Sequence, residues 1–563
     1  MNKIKRLFPA PVLLFTIGWL IINLLQAAFT ELTSDEGYYW FYSTKLDWGY
    51  YDHPPMVALM IRLGTYLFHG TLGVRFMNVL LSTGSMLLFF SLLDVPRKEH
   101  RRTFLVLLSI PLITYLAFIV FPDGPLIFFC LLFLVLYKRF LERNSVSLAI
   151  LIGITISLML YSKYHGLLVI LFVFLSNPSL IKNRLSYLAI SVAILLFIPH
   201  IIWQYHHHFI TLGYHLSGRT DPLTLRHIPE YISQQIPAIG IGVFFTPFIV
   251  RTKDLFERAL KFIVVGTFIF FLFSSLKTFV HFHWTSIAIF PIAYFAIQYY
   301  YNPEKGRLFN FLIWPFVILI VIVRLQLMTS ILPFSHANVD YYKGRDLWAQ
   351  DISRLAGNIP VLFPYNLREC SLYSFYSGRL GVTFYGREEK KSQYDLWNYE
   401  DSLQGKDVFF VAQYPYPGGK ELQTRMGETV YYTTIRSFRS YYDQLPINAT
   451  AKIINDSVLK VNLIVTNQRK NIISFEKNSS GQPPVLIYSL EKNNEPVQSD
   501  TLKVLSVEDA LDHLQERSYE FIVPIKDVKP GNYTILFGFK VGILPEAFNS
   551  PVLQLSIPEK KRT

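Results

Sequence analysis

Charge is scarce in this sequence and cysteine scarcer still. Lys, Arg, Asp and Glu together make up 17% of the 563 residues, against about 25% in a typical soluble chain. That deficit excludes a disordered chain, which stays solvated through charge, and it speaks against a wholly soluble enzyme. Two cysteines, Cys130 and Cys370, cannot make a disulfide framework, so the compartment has to be read from topology. Internal repeats and low-complexity tracts are lacking, which removes arrays and collagen-like chains. The long apolar runs contain almost no ionisable residue. Ion- and proton-coupled transporters place such groups near the bilayer midplane, so their scarcity argues against a conduction path.

What the chain has in abundance is apolar and aromatic residues: 51% hydrophobic, with 47 Phe, 35 Tyr and 8 Trp. After MNKIKR an apolar run continues to about residue 30. It is too long for a signal-peptide core of about 7–15 residues and reads as a first membrane helix. Further spans are expected near 76–93, 104–121, 122–137, 146–161, 164–177, 186–203, 235–250, 262–276, 284–300 and 308–328, eleven in all. The shortest, 122–137 and 164–177, fall below the roughly 20 residues that cross a bilayer and suit a broken or re-entrant pair.

The net charge of +13 would suggest nucleic acid in a soluble protein. Here the cations sit in short loops between apolar runs, so a nucleic-acid partner is not expected. Alternate loops carry Lys3, Lys5 and Arg6; Arg97, Lys98, Arg101 and Arg102; Lys138, Arg139 and Arg143; Lys182 and Arg184; Arg251, Lys253, Arg258 and Lys261; Lys305 and Arg307. The intervening connections hold far fewer: Lys45, Arg62, Arg75, Lys163, Arg219, Arg226 and Lys277. The positive-inside rule places the first set, and the N-terminus, in the cytoplasm. Eleven crossings then leave everything after about residue 330 outside.

The expected organisation is a membrane domain over 1–332, a small α/β domain over 333–445 and a β-sandwich over 446–563. In the middle segment, strand-like runs at 359–364, 382–385, 408–413 and 429–435 alternate with helix-like pieces such as 344–355. Beyond 446, alternating segments at 457–465, 484–490, 519–524, 533–540 and 552–557 are separated by turn residues such as Lys529-Pro530-Gly531-Asn532.

Polar residues of chemical interest gather on the outer side. Asp35-Glu36 follows the first run, with Tyr38, Tyr39 and Trp40 after it. Asp52-His53-Pro54-Pro55 closes the same loop. Asp123, Lys163-Tyr164-His165, His200, His215, Arg219, Lys277, His283 and Trp284 lie in later outer connections. Carboxylates, imidazoles and cations at one interface suggest chemistry on something lodged in the membrane surface. An acidic helix terminus beside an aromatic belt is the plainer reading of the first loop alone.

Residue by residue, Asp35 to Ala58 resembles the first outer loop of the polyprenyl-phosphate-sugar-dependent glycosyltransferases of the GT-C fold. These are the protein O-mannosyltransferases and the aminoarabinose transferase that modifies lipid A. Their loop carries Asp-Glu, then aromatics, then Pro-Pro before the next helix. Pro122-Asp123-Gly124-Pro125-Leu126, Ser162-Lys163-Tyr164 and Pro199-His200-Ile201-Ile202-Trp203-Gln204 are similar to further stretches of that family. The resemblance covers about residues 1–330. It implies a multi-pass protein of the bacterial cytoplasmic membrane that moves a sugar, with inversion, from a polyprenyl-phosphate donor to a lipid, glycan or protein acceptor.

Asp35 then looks like the catalytic base and Asp123 like a second essential acid. Arg219, Lys163 and Lys277 are the cations available to the donor phosphate, Arg219 first. The aminoarabinose branch has Lys before Pro-Pro where this chain has His53, and neutral imidazole is a weaker phosphate partner. Glu36, Tyr38, Tyr39, Asp52, His53, His215, His283 and Trp284 complete the expected substrate-binding set. No cofactor is implied; a divalent ion on Asp52 with His53 or His215 is the open alternative. Rival readings are a transporter or flippase of lipid-linked glycans and a scaffold that anchors the outer β domain.

The topology yields a direct test. Cysteines introduced at residues 35 and 450 should both react with a membrane-impermeant reagent added from outside, and labelling from opposite faces would overturn the orientation.

Overall fold

The structure is a computed structural model that describes residues 9–93, 99–218, 223–331, 343–384, 391–442, 445–455, 458–478, 481–493, 495–525 and 528–557. It divides into two compact units, Met1–Lys343 and Gly344–Thr563. The first unit is helical: α1 Ala10–Phe29, α2 Ser34–Ser43, α3 Met56–Leu67, α4 Gly70–Leu92, α5 His100–Leu108, α6 Pro111–Leu116, α7 Asp123–Glu142, α8 Val146–Ser162, α9 Gly166–Ser176, α10 Arg184–His206, α11 His227–Ile239, α12 Leu255–Ser274, α13 Ile289–Tyr300 and α14 Gly306–Thr329.

The outer helices are inside-out compared with those of a soluble protein. Helix α1 buries Thr16, Asn23 and Gln26 and exposes Leu14, Ile17, Ile21, Ile22 and Phe29. On α10 the exposed residues include Ile194, Leu195 and Ile202, while His200 and Gln204 are buried. Water would penalise such surfaces heavily; hydrocarbon accepts them, and the polar groups find partners within the bundle. The solvent of this unit is therefore lipid.

Among the described residues, five helices qualify as spans by length and apolar composition: α1, α4, α7, α10 and α14. The pair His227–Ile239 and Ile241–Ile249, bent by 95°, makes a sixth if counted as one. That is fewer than the eleven expected, and the reasons are local. The run at 104–121 breaks ahead of Pro111, whose missing N–H cannot continue a helix. The run at 235–250 bends at Gly240, whose φ is +93°. The run at 284–300 begins as a 3-10 turn, Phe282–Ala288, ahead of α13. Residues 122–137 belong to the single 20-residue helix α7 and not to a broken pair. Helix α3 has no counterpart among the expected spans.

Helices α3 and α4 form a tight hairpin because glycines let the backbones touch. A Cβ on Gly73 would stand 2.0 Å from the Phe68 carbonyl oxygen, and one on Gly64 would stand 2.2 Å from that of Gly73. This contact brings the N-terminal turn of α4, and with it Arg75, beneath the first loop.

The second unit opens with α15 Arg345–Ala356, then β1 Val361–Leu362, α16 Leu367–Ser377, β2 Gly381–Val382, β3 Val408–Ala412, β4 Lys420–Gln423 and β5 Thr429–Ile435. These strands form one sheet in the order β2-β1-β3-β5-β4. The first three are parallel and the last two antiparallel. Next come β6 Ile447–Asn455, β7 Val458–Thr466, β8 Val485–Lys492, β9 Glu495–Val504, β10 Glu516–Pro524, β11 Gly531–Lys540, β12 Ala547–Phe548 and β13 Leu553–Ile557. They build two antiparallel sheets, β10-β7-β6 and β12-β11-β8-β9, with β13 also paired to β11.

Alternation explains the packing of these sheets. On β7, Leu459, Val461, Leu463 and Val465 all point inward and meet Leu486, Tyr488, Ile535, Phe537 and Phe539 of the facing sheet. The same core continues without a break through Leu445, Tyr442, Tyr441 and Phe438 to Phe410, Val382 and Leu362 of the α/β sheet. Polar clasps reinforce the join: Tyr442 Oη donates to the Pro545 carbonyl at 2.6 Å, and Tyr365 Oη to that of Glu546 at 2.6 Å. The α/β and β parts, read from the sequence as separate domains meeting at 445/446, share one core.

Replacing Gly73 with Ala forces a methyl into backbone already in contact, and overpacking of this kind costs about 1–3 kcal/mol. The purified variant in detergent should melt below the wild type, whereas Gly18→Ala, where a Cβ meets nothing within 4 Å, should not.

Candidate active site

Three hydrogen-bonded knots bring the predicted outer residues together. The first fixes Asp35. Thr33 caps α2 in a capping box: Glu36 N donates to Thr33 Oγ1 at 3.3 Å, and Thr33 N to Glu36 Oε2 at 2.9 Å. Arg75 then grips the Glu36 carboxylate with both edges, Nε to Oε1 at 2.7 Å and Nη2 to Oε2 at 2.6 Å. Val120 N also donates to Oε1, at 2.9 Å. The remaining guanidinium hydrogens go to the carbonyls of Ala27, Thr30 and Glu31 at the end of α1. Both side chains of the pair are 0% exposed.

Glu36 is thus buried, and both of its oxygens accept hydrogen bonds from within the chain. Its role is to hold α2, so that its neighbour Asp35 stands exposed on the first turn.

The second knot is the aromatic loop. Tyr42 Oη donates to Asp52 Oδ1, and Tyr39 Oη to His53 Nε2 at 3.3 Å. Tyr42 stacks on Tyr50 with ring centroids 4.4 Å apart. Tyr38 packs against Tyr42 at 4.6 Å and is buried. His215 Nε2 donates to the Asp52 carbonyl at 2.9 Å, and Thr211 Oγ1 to that of Tyr50 at 2.7 Å. His200 Nδ1 donates to the Trp48 carbonyl at 2.6 Å and accepts at Nε2 from Tyr164 Oη at 2.7 Å.

The third knot joins Asp123, on the first turn of α7, to Lys163 after α8. Lys163 Nζ lies 2.8 Å from Asp123 Oδ2, and Ser286 Oγ donates to Oδ1 at 2.7 Å. Lys163 is only 7% exposed through its side chain and Asp123 1%. The lysine charge is therefore already answered by a carboxylate.

The knots converge on Tyr39. Burial first, then the charges of Asp35, Asp52 and Asp123, lift its phenol well above the usual tyrosine value, so Tyr39 is a neutral hydrogen-bond donor amid three carboxylates. His283 and Trp284 lie nearby in sequence and pack on Phe121 and His165 at ring distances of 4.9 and 5.8 Å. Lys277 sits on an exposed turn after α12. Arg219 lies outside the described residues. Among the described residues, no three His, Cys, Asp or Glu side chains group as metal ligands do.

Several working residues escaped the sequence reading. Arg75 reads as a loop cation, yet it is the fixed point of the first knot. Arg324, within the last span, donates to Asn23 Oδ1 at 2.6 Å and to the Thr114 carbonyl at 2.7 Å. Their signal was a lone arginine within an apolar run, a feature that is costly in a membrane and hence placed for a purpose. Ser286 and Asn78, which donates to the Leu116 and Ile119 carbonyls at 3.0 Å, gave no such signal.

Comparison with known proteins agrees with this fold. Residues 52–203, from Asp52 through Asp123 and Lys163 to Trp203, match the family model described as dolichyl-phosphate-mannose-protein mannosyltransferase. The lipid A galacturonosyltransferase RgtD of Rhizobium johnstonii is 27% identical over 252 residues, covering 42% of this chain and 53% of that protein. The match thus spans about half the length of that relative. Among solved structures, ArnT of Cupriavidus metallidurans superposes with a TM-score of 0.55 in the apo state and 0.54 bound to undecaprenyl phosphate. Identity is 14% and 15%, and the matches cover 75% of this chain and 97% of ArnT. At that identity the likeness is one of fold. The resemblance read from the first loop holds: this is a polytopic GT-C architecture followed by α/β and β sheets.

Removing one partner of the Glu36–Arg75 pair strands a buried charge, which costs about 3–5 kcal/mol. Arg75→Met and Glu36→Gln should each lower the melting midpoint strongly. The double variant should lose less than the sum, a coupling that a double-mutant cycle measures.

Proposed function

We propose that this chain is an inverting glycosyltransferase that takes a sugar from a polyprenyl-phosphate donor. The reaction occurs at the outer face of the bacterial cytoplasmic membrane, with the N-terminus inside and the second unit outside. The observation that carries the reading is the first knot. An exposed carboxylate, Asp35, is held on a helix N-terminus by an adjacent carboxylate locked to Arg75.

In this reading Asp35 accepts the proton of an acceptor hydroxyl. The oxygen attacks the anomeric carbon, the bond from that carbon to the phosphate oxygen breaks, and polyprenyl phosphate leaves with the electron pair. An alcohol is a poor nucleophile at neutral pH, and a positioned base typically supplies about 10²–10⁴-fold. Charge developing on the leaving phosphate calls for fixed cations in a site of low dielectric. Arg219 is the first candidate. Lys163, its charge shared with Asp123, and Lys277 follow. Tyr39, His53, His215, His283 and Trp284 line the approach, and Asp52 with Asp123 sets the electrostatics around Tyr39. The reading needs no metal.

A glycolipid of the lipid A kind is the acceptor class we favour, supported by the partial likeness to RgtD; the sugar is a hexose or a pentose. Nothing in the described residues favours a flippase.

Purified protein should transfer sugar from a polyprenyl-phosphate donor, and Asp35→Asn should slow transfer by about 100-fold or more while leaving the melting midpoint unchanged. A variant that keeps more than about a tenth of the wild-type rate would remove Asp35 as the base.

A further inference from the structure

The second unit contains a cavity of its own. It has a volume of about 320 Å³, at the low end of the range of about 300–1,000 Å³ for small-molecule sites. Its walls include Phe363, Tyr365, Asn366, Glu369, Gln413 and Tyr414. The position follows from topology. Strand β1 has β2 on one side, reached through α16, and β3 on the other, both parallel to it. The strand order reverses there, and the crevice beyond the carboxyl ends of β1 and β3 is where open α/β sheets bind ligands. Phe363 to Asn366 continue β1, Gln413 and Tyr414 continue β3, and Asn366 caps α16, its Oδ1 accepting from Glu369 N at 3.1 Å.

The lining has a definite chemistry. Glu369 is buried, with 4% of its side chain exposed. Gln413 Nε2 donates to its Oε1, and Arg345 Nη1 lies 3.5 Å from the same oxygen. Arg345 is also 3.5 Å from Glu428 Oε2, so its charge is divided between two carboxylates and little remains for an anionic guest. Tyr365 adopts a left-handed backbone, φ +51°, a strained state that in a non-glycine residue often marks a binding site. Tyr414, 49% exposed, offers an aromatic face at the cavity's edge.

We propose that this cavity is a binding site for a neutral sugar ring, separate from the transfer site of the membrane unit. A pyranose presents an apolar C–H face to an aromatic ring and a rim of hydroxyls to carboxylate and amide groups. Tyr414 and Tyr365 supply the first, Glu369, Asn366 and Gln413 the second. Burial, opposed by Arg345 and helped by Glu428, raises the Glu369 pKa to about 7. Near neutrality its carboxyl can therefore both donate to and accept from ring hydroxyls. Uronates and phosphates would meet two carboxyl groups and a cation already shared.

The test uses the whole chain in a detergent without a sugar headgroup, with binding followed by saturation-transfer NMR. The neutral probes are the methyl glycosides of glucose, mannose and galactose; the anionic probes are galacturonate, glucose 6-phosphate and inorganic phosphate. At least one neutral glycoside should bind saturably, with a dissociation constant of about 1 mM or tighter. Tyr414→Ala, at a half-exposed position, should weaken it about tenfold at an unchanged melting midpoint, and Glu369→Gln should weaken it as well. Asp35→Asn should leave it untouched. Three results would overturn the proposal: no saturable neutral binding, anions binding as well or better, or binding that Asp35→Asn abolishes while Tyr414→Ala and Glu369→Gln do not. None of these bears on transfer itself, which is measured separately.

Discussion

The pairing of Arg75 with Glu36 is the constraint from which the membrane unit takes its shape. A guanidinium and a carboxylate, both fully buried, would each carry a desolvation cost of several kcal/mol if left alone. Here the cost is offset because the guanidinium hydrogens and the carboxylate oxygens are all met. Arg75 serves two carboxylate oxygens and three carbonyls; Glu36 accepts from Arg75, Thr33 and Val120. The carbonyls lie at the end of α1, the carboxylate on α2, the arginine on α4 and the Val120 amide just before α7. One ion pair therefore fixes four segments, and the exposed Asp35 inherits its position from them.

Asp123 and Lys163 repeat the theme on a smaller scale, with Ser286 as the third member. Around Asp52 and His53 the side-chain partners are tyrosines. An aromatic ring with a hydroxyl buries its body among apolar neighbours and keeps a polar tip for Asp52 or His53. Charge is spent sparingly: Glu36 with Arg75 and Asp123 with Lys163 are matched pairs, while Arg324 is met by the Asn23 side chain and the Thr114 carbonyl.

The second unit works by different means. Its stability comes from alternation on β strands, with inward residues of two sheets and of the α/β sheet meeting in one apolar core. Buried ions join that core at its margins: Arg469 reaches Glu400 at 3.0 Å and Asp401 at 2.9 Å. These pairs link the α/β part to the sandwich, so the two behave as a single body, although each has its own strand pattern.

The sequence by itself determined the solvent of the helical unit and the class of fold, and it singled out the residues of chemical interest. Long uncharged runs cannot face water, period-two alternation cannot be helical, and Asp35-Glu36 beside aromatics stands out where charge is rare. It also located most strands of the second unit to within a few residues, because those strands alternate; β4, β6, β9 and β12 were missed. Tertiary structure decided what local pattern cannot encode. Hydropathy did not show that Pro111 and Gly240 would break two apparent spans, that Phe438, Tyr441, Tyr442 and Leu445 would be core, or that α3 would form. Above all, Glu36 and Asp35 are adjacent carboxylates with the same local signature, and only the arrival of Arg75 from 39 residues away makes one a buried anchor and leaves the other exposed. The partner of a buried charge is chosen by packing in three dimensions, and sequence spacing carries no record of that choice.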